Sequence, residues 1–132
     1  MLAPCEVAVK CLMPSVRAMI AKELMNRHKL KQSEAAKLLG VSQPAISLYY
    51  RKIRGKAITL EGDADITKLI ENMSDSLVVG DLSSKDHILM LCKICRAARA
   101  KGLMCDMHKA LDPSIDTEKC ELCLSTKMPR CL

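Results

Sequence analysis

The segment from Gln32 to Gly55 constrains the fold of this chain more than any other. Ala36, Gly40 and Ile46 stand in it at the A-x3-G-x5-I spacing that is typical of a helix-turn-helix. A small residue at the alanine position lets a second helix cross closely, and glycine can adopt the left-handed conformation that ends a helix in a sharp turn. The spacing therefore predicts two short helices joined at a tight turn.

The starts of these two helices carry different signals. Ser42 is a favourable N-cap for the second helix, and Pro44 falls in its first turn, where the missing N–H is not needed. Lys31 stands where a capping Ser or Thr is expected, so we expect the first helix to start loosely or to be capped by another group. An ordinary helical hairpin is the alternative, and the cap, the proline and the basic residues that follow make it less favoured.

The rest of the chain also has helical periodicity, which predicts an all-α fold. The first 13 residues fit a strand or a short helix, and we favour the helix. Residues 57–62 are expected to form a linker or a short extended piece. Helices are predicted over residues 15–27, 63–79, 84–101 and 103–111, and the chain is expected to divide into a helix-turn-helix domain, residues 1–60, and a cysteine-rich domain, residues 61–132.

The charge of the chain is concentrated in its first half. Residues 1–62 contain 11 Lys and Arg against 4 Asp and Glu, whereas residues 63–132 contain 10 against 11. A basic excess confined to the half with the predicted helix-turn-helix indicates that this half binds a polyanion.

Composition excludes several other classes of protein. No apolar run approaches the ~20 residues of a membrane-spanning helix, and the N-terminus lacks the features of a signal peptide, so we expect a cytoplasmic protein. No Ser-His-Asp combination, phosphate-binding glycine loop or carboxylate pair is evident, and we do not expect an enzyme. The chain has no Phe or Trp, so its core must be aliphatic.

The second predicted motif helix has a polar face suited to reading DNA. Gln can bond both N6 and N7 of adenine, and Arg can bond O6 and N7 of guanine, so Gln43, Ser47 and Arg51 are candidates for base contacts. The side chains better suited to phosphates are Ser42, Lys52, Arg54 and Lys56. A solvated polar face is the alternative. The full set of predicted DNA-binding residues is Gln32, Ser42, Gln43, Pro44, Ser47, Arg51, Lys52 and Arg54.

Six of the eight cysteines follow residue 91. In a cytoplasmic protein such a group indicates metal or redox chemistry rather than disulfides. Each C-x2-C pair places two thiolates within reach of one metal ion, although six unrelated buried cysteines are the alternative. The predicted ligands are Cys92, Cys95, Cys105, Cys120, Cys123 and Cys131.

The identity of the cofactor is left open by the residues. An all-cysteine ligand set with more than four cysteines favours a 4Fe-4S cluster. Zinc is the alternative, bound by four cysteines or by Cys92, Cys95, Cys105 and His108, since His108 follows Cys105 at x2. Otherwise His108 is expected to be a polar surface residue or a neighbour of the ligands. A thiol redox protein without bound metal is a second alternative.

The motif also carries a family resemblance. Gln32, Ala36, Gly40, Val41, Ser42, Gln43 and Ile46 resemble the helix-turn-helix of lambda-repressor-like (XRE-type) regulators, in which a Gln opening each motif helix cooperates in gripping DNA. The wider run from PCEVAVKCLMPSVRAMIAKEL to LLGVSQPAISLYYRKIRG, with the C-x2-C pairs, resembles small archaeal transcriptional regulators with a cysteine-rich C-terminal domain. The resemblance is weaker between residues 57 and 86.

Cys5 and Cys11 lie far from the other cysteines in sequence. Cys5 belongs to the PCE element of the resembled group, which implies a role for it at an interface or at the cofactor. Burial of both as small hydrophobic side chains is the favoured interpretation.

These features predict a homodimeric transcriptional regulator. One recognition helix reads only a few base pairs, so two helices ~34 Å apart on a palindromic operator in double-stranded DNA are expected. The cofactor is expected to alter their spacing as iron or redox state changes. A structural zinc site without sensing is the main alternative.

Overall fold

The computed structural model describes residues 1–123, and these residues form an all-helical fold. The predicted all-α class is confirmed for this part of the chain, which contains no strand. A π-helical turn, Ala8–Leu12, connects the first two helices. The helices are α1 (Pro4–Val7), α2 (Met13–Asn26), α3 (Gln32–Leu39), α4 (Gln43–Tyr50), α5 (Ala64–Val79), α6 (Ser84–Ala100) and α7 (Cys105–Leu111).

The N-terminal segment is helical, as favoured from the sequence, and it runs into α2 without a break. In the π-helical turn the Met13 N–H bonds to the carbonyl of Ala8, five residues earlier. Pro14 follows directly, and in a regular α-helix its ring would clash with the carbonyl four residues before it. The wider turn makes room for the proline, so α1 and α2 form one continuous helical run.

The core is built around α2, which packs against α3, α4 and α5. Val16, Ile20 and Leu24 on α2 are fully buried. The same cluster of buried residues includes Ile46 of α4 and Ile94 of α6. Residues from both predicted domains therefore share one core, and the division at residue 60 stays a prediction.

The turn between α3 and α4 has the local features that the sequence predicts. Gly40 has a left-handed backbone (φ 66°) and ends α3. The Ser42 hydroxyl accepts the N–H of Ala45 at 3.2 Å and caps α4. Lys31 contributes no side-chain cap; instead the Glu34 carboxylate accepts the Lys31 N–H at 3.2 Å. Two short helices joined at a tight turn are thus confirmed, and Glu34 is the other capping group.

The segment that follows α4 is irregular but is not a loose linker. Ile58 and Leu60 are 8% and 1% exposed and belong to the core. The Ile58 N–H donates to the hydroxyl of Ser15 at 3.3 Å, and that hydroxyl donates to the Cys11 carbonyl at 3.0 Å. A serine buried in the first helical run therefore anchors this segment.

The N-terminus is fastened to α7 and to the residue that directly follows it. The Leu2 N–H donates to the Asp112 carboxylate at 2.9 Å, and the Met1 amino group lies 3.7 Å from the same oxygen. The His108 ring nitrogen Nε2 bonds to the Leu2 carbonyl at 2.9 Å. These contacts, which we call the N-terminal clasp, hold α1 against α7.

We predict that Gly55→Ala destabilises the fold. Gly55 has a φ of +77°, and a Cβ there would lie 2.6 Å from the Pro14 carbonyl oxygen and 2.7 Å from the Ala18 Cβ. A left-handed non-glycine residue costs ~1–2 kcal/mol and overpacking ~1–3 kcal/mol, so the free energy of unfolding should fall by about 2–5 kcal/mol in urea denaturation. Gly62→Ala is the control, because a Cβ there would meet no atom within 4 Å. Equal stability of the two variants would contradict the prediction.

We predict that the N-terminal clasp weakens in acid. The Ser114 hydroxyl and then the Leu2 N–H, both donating to Asp112, lower the pKa of its carboxyl group from 3.8 to about 2. Since the folded-state pKa lies below the unfolded value, the carboxylate stabilises the fold above about pH 4, and this contribution is lost as the pH falls toward about 2. The difference in free energy of unfolding between the wild type and Asp112→Asn should shrink over this range. Asp81→Asn, at an exposed position, is the control, and a difference independent of pH would count against the clasp.

Candidate nucleic-acid interface and cysteine cluster

α4 presents a polar edge to solvent and an apolar face to the core. Gln43 at its first position and Arg51 just after its end are exposed, and Ser47 between them is half-buried. Ile46 and Tyr49 on the other face are buried. The three predicted base-contacting residues therefore lie along one accessible edge of a short helix.

The two glutamines that open α3 and α4 are in direct contact. The Gln43 side-chain nitrogen donates to the Gln32 side-chain oxygen at 2.7 Å. Gln43 is exposed and Gln32 is half-buried. Each amide retains its second polar atom for another partner, so the contact orients Gln43 without consuming its capacity to bond a base edge.

The predicted phosphate-contacting residues lie at the two ends of α4. Ser42 is exposed at its start, and Lys52, Arg54 and Lys56 are exposed in the loop after it. Pro44, predicted only as a member of the DNA-binding set, is exposed in the first turn of α4. The Arg54 guanidinium carbon lies 5.6 Å from the centre of the Tyr49 ring, a cation–π distance that orients this side chain.

The loop that follows α4 and carries Lys52, Arg54 and Lys56 borders a cleft of about 380 Å³ between α2 and the end of α4. Lys22, Lys52, Arg54 and Lys56 line it, together with Glu61, which forms an ion pair with Lys22 at 3.3 Å. All eight predicted DNA-binding residues lie on α3, α4 and the segments directly beside α4.

The second group of predicted site residues surrounds Arg99, a side chain that is only 6% exposed. Its Nη1 donates to the Cys5 sulfur at 3.6 Å. The same guanidinium hydrogen-bonds to Cys95, four residues earlier on α6, and to Cys123 in the C-terminal segment. One buried arginine therefore contacts thiols from three separate parts of the chain.

The remaining described cysteines of the C-terminal half lie beside these thiols. Cys92 is close enough to Cys95 to raise the pKa of its thiol. Cys123 and Cys120 are close enough to Cys105 to do the same there. We call this arrangement the cysteine cluster. It consists of Cys5, Cys92, Cys95, Cys105, Cys120 and Cys123. Cys131 lies outside the described residues, and Cys11 is buried in the core at 6% exposure.

The surroundings of the cluster raise the pKa of two of its thiols, Cys95 and Cys105. Burial raises the pKa of the Cys95 thiol even though Arg99 acts in the opposite direction. Burial and the neighbouring Cys123 and Cys120 raise the pKa of Cys105. Burial lowers the pKa of Arg99, but its bonds to Cys123 and Cys95 outweigh that effect and raise it overall. A bound metal cation would instead lower the pKa of the thiols that coordinate it, because a coordinating thiol is deprotonated.

The donor set fits a thiolate-bound cofactor in its chemistry, although the thiols are not closed around a single point. Within residues 1–123, no three His, Cys, Asp or Glu side chains are arranged to hold a metal ion. The sulfurs of Cys5, Cys95 and Cys123 are each hydrogen-bonded to the Arg99 guanidinium instead. Loading with a cofactor would require these sulfurs to converge and the guanidinium to withdraw.

His108 is not a polar surface residue, which was one of two expectations for it. It borders the same small cavity as Cys105, Cys120 and Cys123, as the other expectation, a neighbour of the predicted ligands, requires. It is 4% exposed, and its Nε2 bonds to the Leu2 carbonyl at 2.9 Å. Because a carbonyl oxygen only accepts, Nε2 must carry the proton in this contact. A zinc site of three cysteines and this histidine would have to use Nδ1, or else break the N-terminal clasp.

Sequence reasoning missed Arg99 and favoured the wrong environment for Cys5. Arg99 follows Cys95 by four residues, which puts both on one face of a helix, and that spacing is the signal that could have indicated it. Cys5 is exposed rather than buried, so its interpretation as a buried hydrophobic side chain is wrong. Only the PCE resemblance indicated a role for it at the cofactor.

Comparison with protein-family models, curated proteins and solved structures found no match for the chain. Within residues 1–123, none of the helices has both the length and the apolar character needed to cross a membrane.

Proposed function

We propose that this chain is a DNA-binding transcriptional regulator in which α3 and α4 are a helix-turn-helix and the cysteine cluster binds a cofactor that controls DNA binding. The observation that carries the proposal is the exposed polar edge of α4. On that edge Gln43 is held by Gln32 and is followed by Ser47 and Arg51.

DNA binding is proposed because the polar edge of α4 suits the major groove of DNA. The major groove of B-DNA admits one α-helix and presents a different pattern of donors and acceptors for each base pair. Gln43 would read adenine and Arg51 guanine, while Ser42, Lys52 and Arg54 would contact phosphates and set the register. The basic excess of residues 1–62 supplies the attraction to the polyanion.

We propose that the regulator is a homodimer on a palindromic operator. A recognition edge of three side chains on one short helix covers only a few base pairs, and a two-fold related copy ~34 Å away would supply the rest. Apolar side chains exposed at the end of α5 and the start of α6 support such a contact, because exposed apolar patches commonly mark protein interfaces. They are Val78, Val79, Leu82, Ile88 and Leu89.

We propose a 4Fe-4S cluster as the cofactor. Its ligands would come from the residues of the cysteine cluster. Cys92, Cys95, Cys105, Cys120 and Cys123 offer more thiols than the four that a zinc ion takes. Such a cluster would add an oxidisable centre beside the core that also supports α4. Cysteines kept reduced suit a cytoplasmic protein, and the proposed role is regulatory rather than enzymatic.

The DNA-binding proposal predicts distinct effects for two substitutions. The wild-type chain should select a palindromic sequence from random duplexes. Gln43→Ala should weaken binding to that sequence by about 10–100-fold while leaving random DNA nearly unaffected, because a bidentate base contact provides ~1–3 kcal/mol of discrimination. Lys52→Ala should weaken binding to both alike and reduce the slope of log affinity against log salt by about one.

Fluorescence anisotropy at several salt concentrations would measure both effects. Lys85→Ala, an exposed lysine on α6, is the matched control and should bind like the wild type. A wild-type chain with no sequence preference, or a Gln43→Ala variant with an unchanged one, would refute the role given to α4.

The cofactor proposal predicts a brown protein after anaerobic purification. A broad absorption band near ~400 nm with matching iron and sulfide contents is expected, since such clusters are bound by cysteine thiolates. Operator affinity should then differ between the loaded, stripped and air-oxidised protein. Colourless protein with stoichiometric zinc, whose C-terminal half unfolds on chelation, would instead establish the structural zinc alternative.

A further inference from the structure

We infer that Cys5 supplies a thiolate to the cofactor site, so that the site is shared between the N-terminal helix and the C-terminal half of the chain. This inference rests on the cofactor part of the proposed function and names a residue that the C-x2-C spacing does not include. The cofactor is defined here by its chemistry, as a soft metal centre held by thiolates.

The Cys5 sulfur lies beside the buried Arg99 side chain. It lies 3.6 Å from Nη1 of Arg99, and the same guanidinium hydrogen-bonds to Cys95 and Cys123. A guanidinium group is small and planar, so the sulfurs bonded to it surround one side chain, and Cys5 is near enough to Cys95 to raise its pKa. Cys5 is therefore as much a part of the thiol group around Arg99 as the two C-x2-C cysteines are.

Cys5 is brought to this position by contacts that need no cofactor. Leu2, three residues earlier, is held by Asp112 and His108 in the N-terminal clasp. α1 packs against α7 directly. Folding therefore already fixes the position of the Cys5 thiol, so less entropy is lost when this thiol binds a metal and the metal is held more tightly.

The two N-terminal cysteines lie in different environments. Cys11 lies on the same helical run, is 6% exposed and packs in the hydrophobic core. Cys5 is exposed and faces the cluster. A metal centre can reach Cys5, whereas Cys11 is surrounded by apolar side chains.

Ligation through Cys5 would connect the cofactor to the DNA-binding half of the chain. On binding, the thiol would lose its proton to water and its sulfur would bond the metal in place of its contact with Arg99. α1 continues through the π-helical turn into α2, which packs against α3 and α4. Any movement of Cys5 on loading would therefore act on the helix that supports α4.

The test compares Cys5→Ala with Cys11→Ala in the full chain. Each protein is stripped and then reconstituted anaerobically with ferrous iron and sulfide, or with zinc alone. We expect Cys5→Ala to lower cofactor affinity at least about tenfold, while Cys11→Ala retains the wild-type affinity for the cofactor. Circular dichroism would check that both variants fold, and Cys5→Ala should do so because the position is exposed.

A second measurement does not depend on any variant. The loaded and stripped wild-type proteins are treated with iodoacetamide, and the modified cysteines are identified by peptide mass spectrometry. Cys5 should be alkylated more than tenfold more slowly in the loaded protein. Protection with iron and sulfide, or with zinc, supports the inference, and the metal that is retained distinguishes the sensor from the structural site.

Two results would overturn the inference. They differ in whether they also contradict the cofactor part of the proposed function. If Cys5 is alkylated equally fast in loaded and stripped protein and Cys5→Ala binds the cofactor normally, the inference fails and the proposed function stands. If the wild-type chain retains neither iron nor zinc, the inference fails together with the cofactor part of the proposed function. Operator selection by α4 would survive both results.

Discussion

The burial of α2 against helices on both sides is the interaction on which the rest of the structure depends. Val16, Ile20 and Leu24 are fully buried, and full burial of such a side chain contributes ~1.5–3 kcal/mol. Without Phe or Trp the chain must obtain this stabilisation from many aliphatic contacts, so α3, α4 and α5 all pack on the same helix. The orientation of the polar edge of α4 and the position of α5, on which α6 packs, are consequently set by one element.

Polar contacts then fix the relative placement of these helices. Asp75 on α5 pairs with Arg27 and His28 just after α2, at 2.7 and 2.8 Å. Lys101 at the end of α6 pairs with Asp63 and Asp65 at the start of α5, at 3.0 and 2.7 Å. Exposed ion pairs of this kind contribute little stability, and their main effect is to select one register of the packed helices. The cysteine cluster at one end of α6 is thereby held in a defined position relative to α2.

The parts of this structure that could be predicted from sequence are those with local causes. Gly40 ends α3 because a left-handed residue is needed there, and Ser42 caps α4 because its hydroxyl reaches an N–H three residues on. The environment of residues 57–62 could not be predicted in this way. Ile58 is held by Ser15, 43 residues earlier, and no local pattern signals a hydrogen bond across that distance. The same reason explains why the exposed position of Cys5 was not foreseen.

The sequence by itself determined the helices, the turn between α3 and α4, the basic first half and the supply of thiols, because periodicity, capping and charge act over a few residues. Tertiary structure decided which of these groups meet. The Gln32–Gln43 contact, the N-terminal clasp and the convergence of Cys5, Cys95 and Cys123 on Arg99 all join residues from different elements. Cys5 and Arg99 are separated by 94 positions, and only the packing of α1, α6 and α7 brings them together, since the free energy of such a contact depends on the whole core rather than on either residue's neighbours.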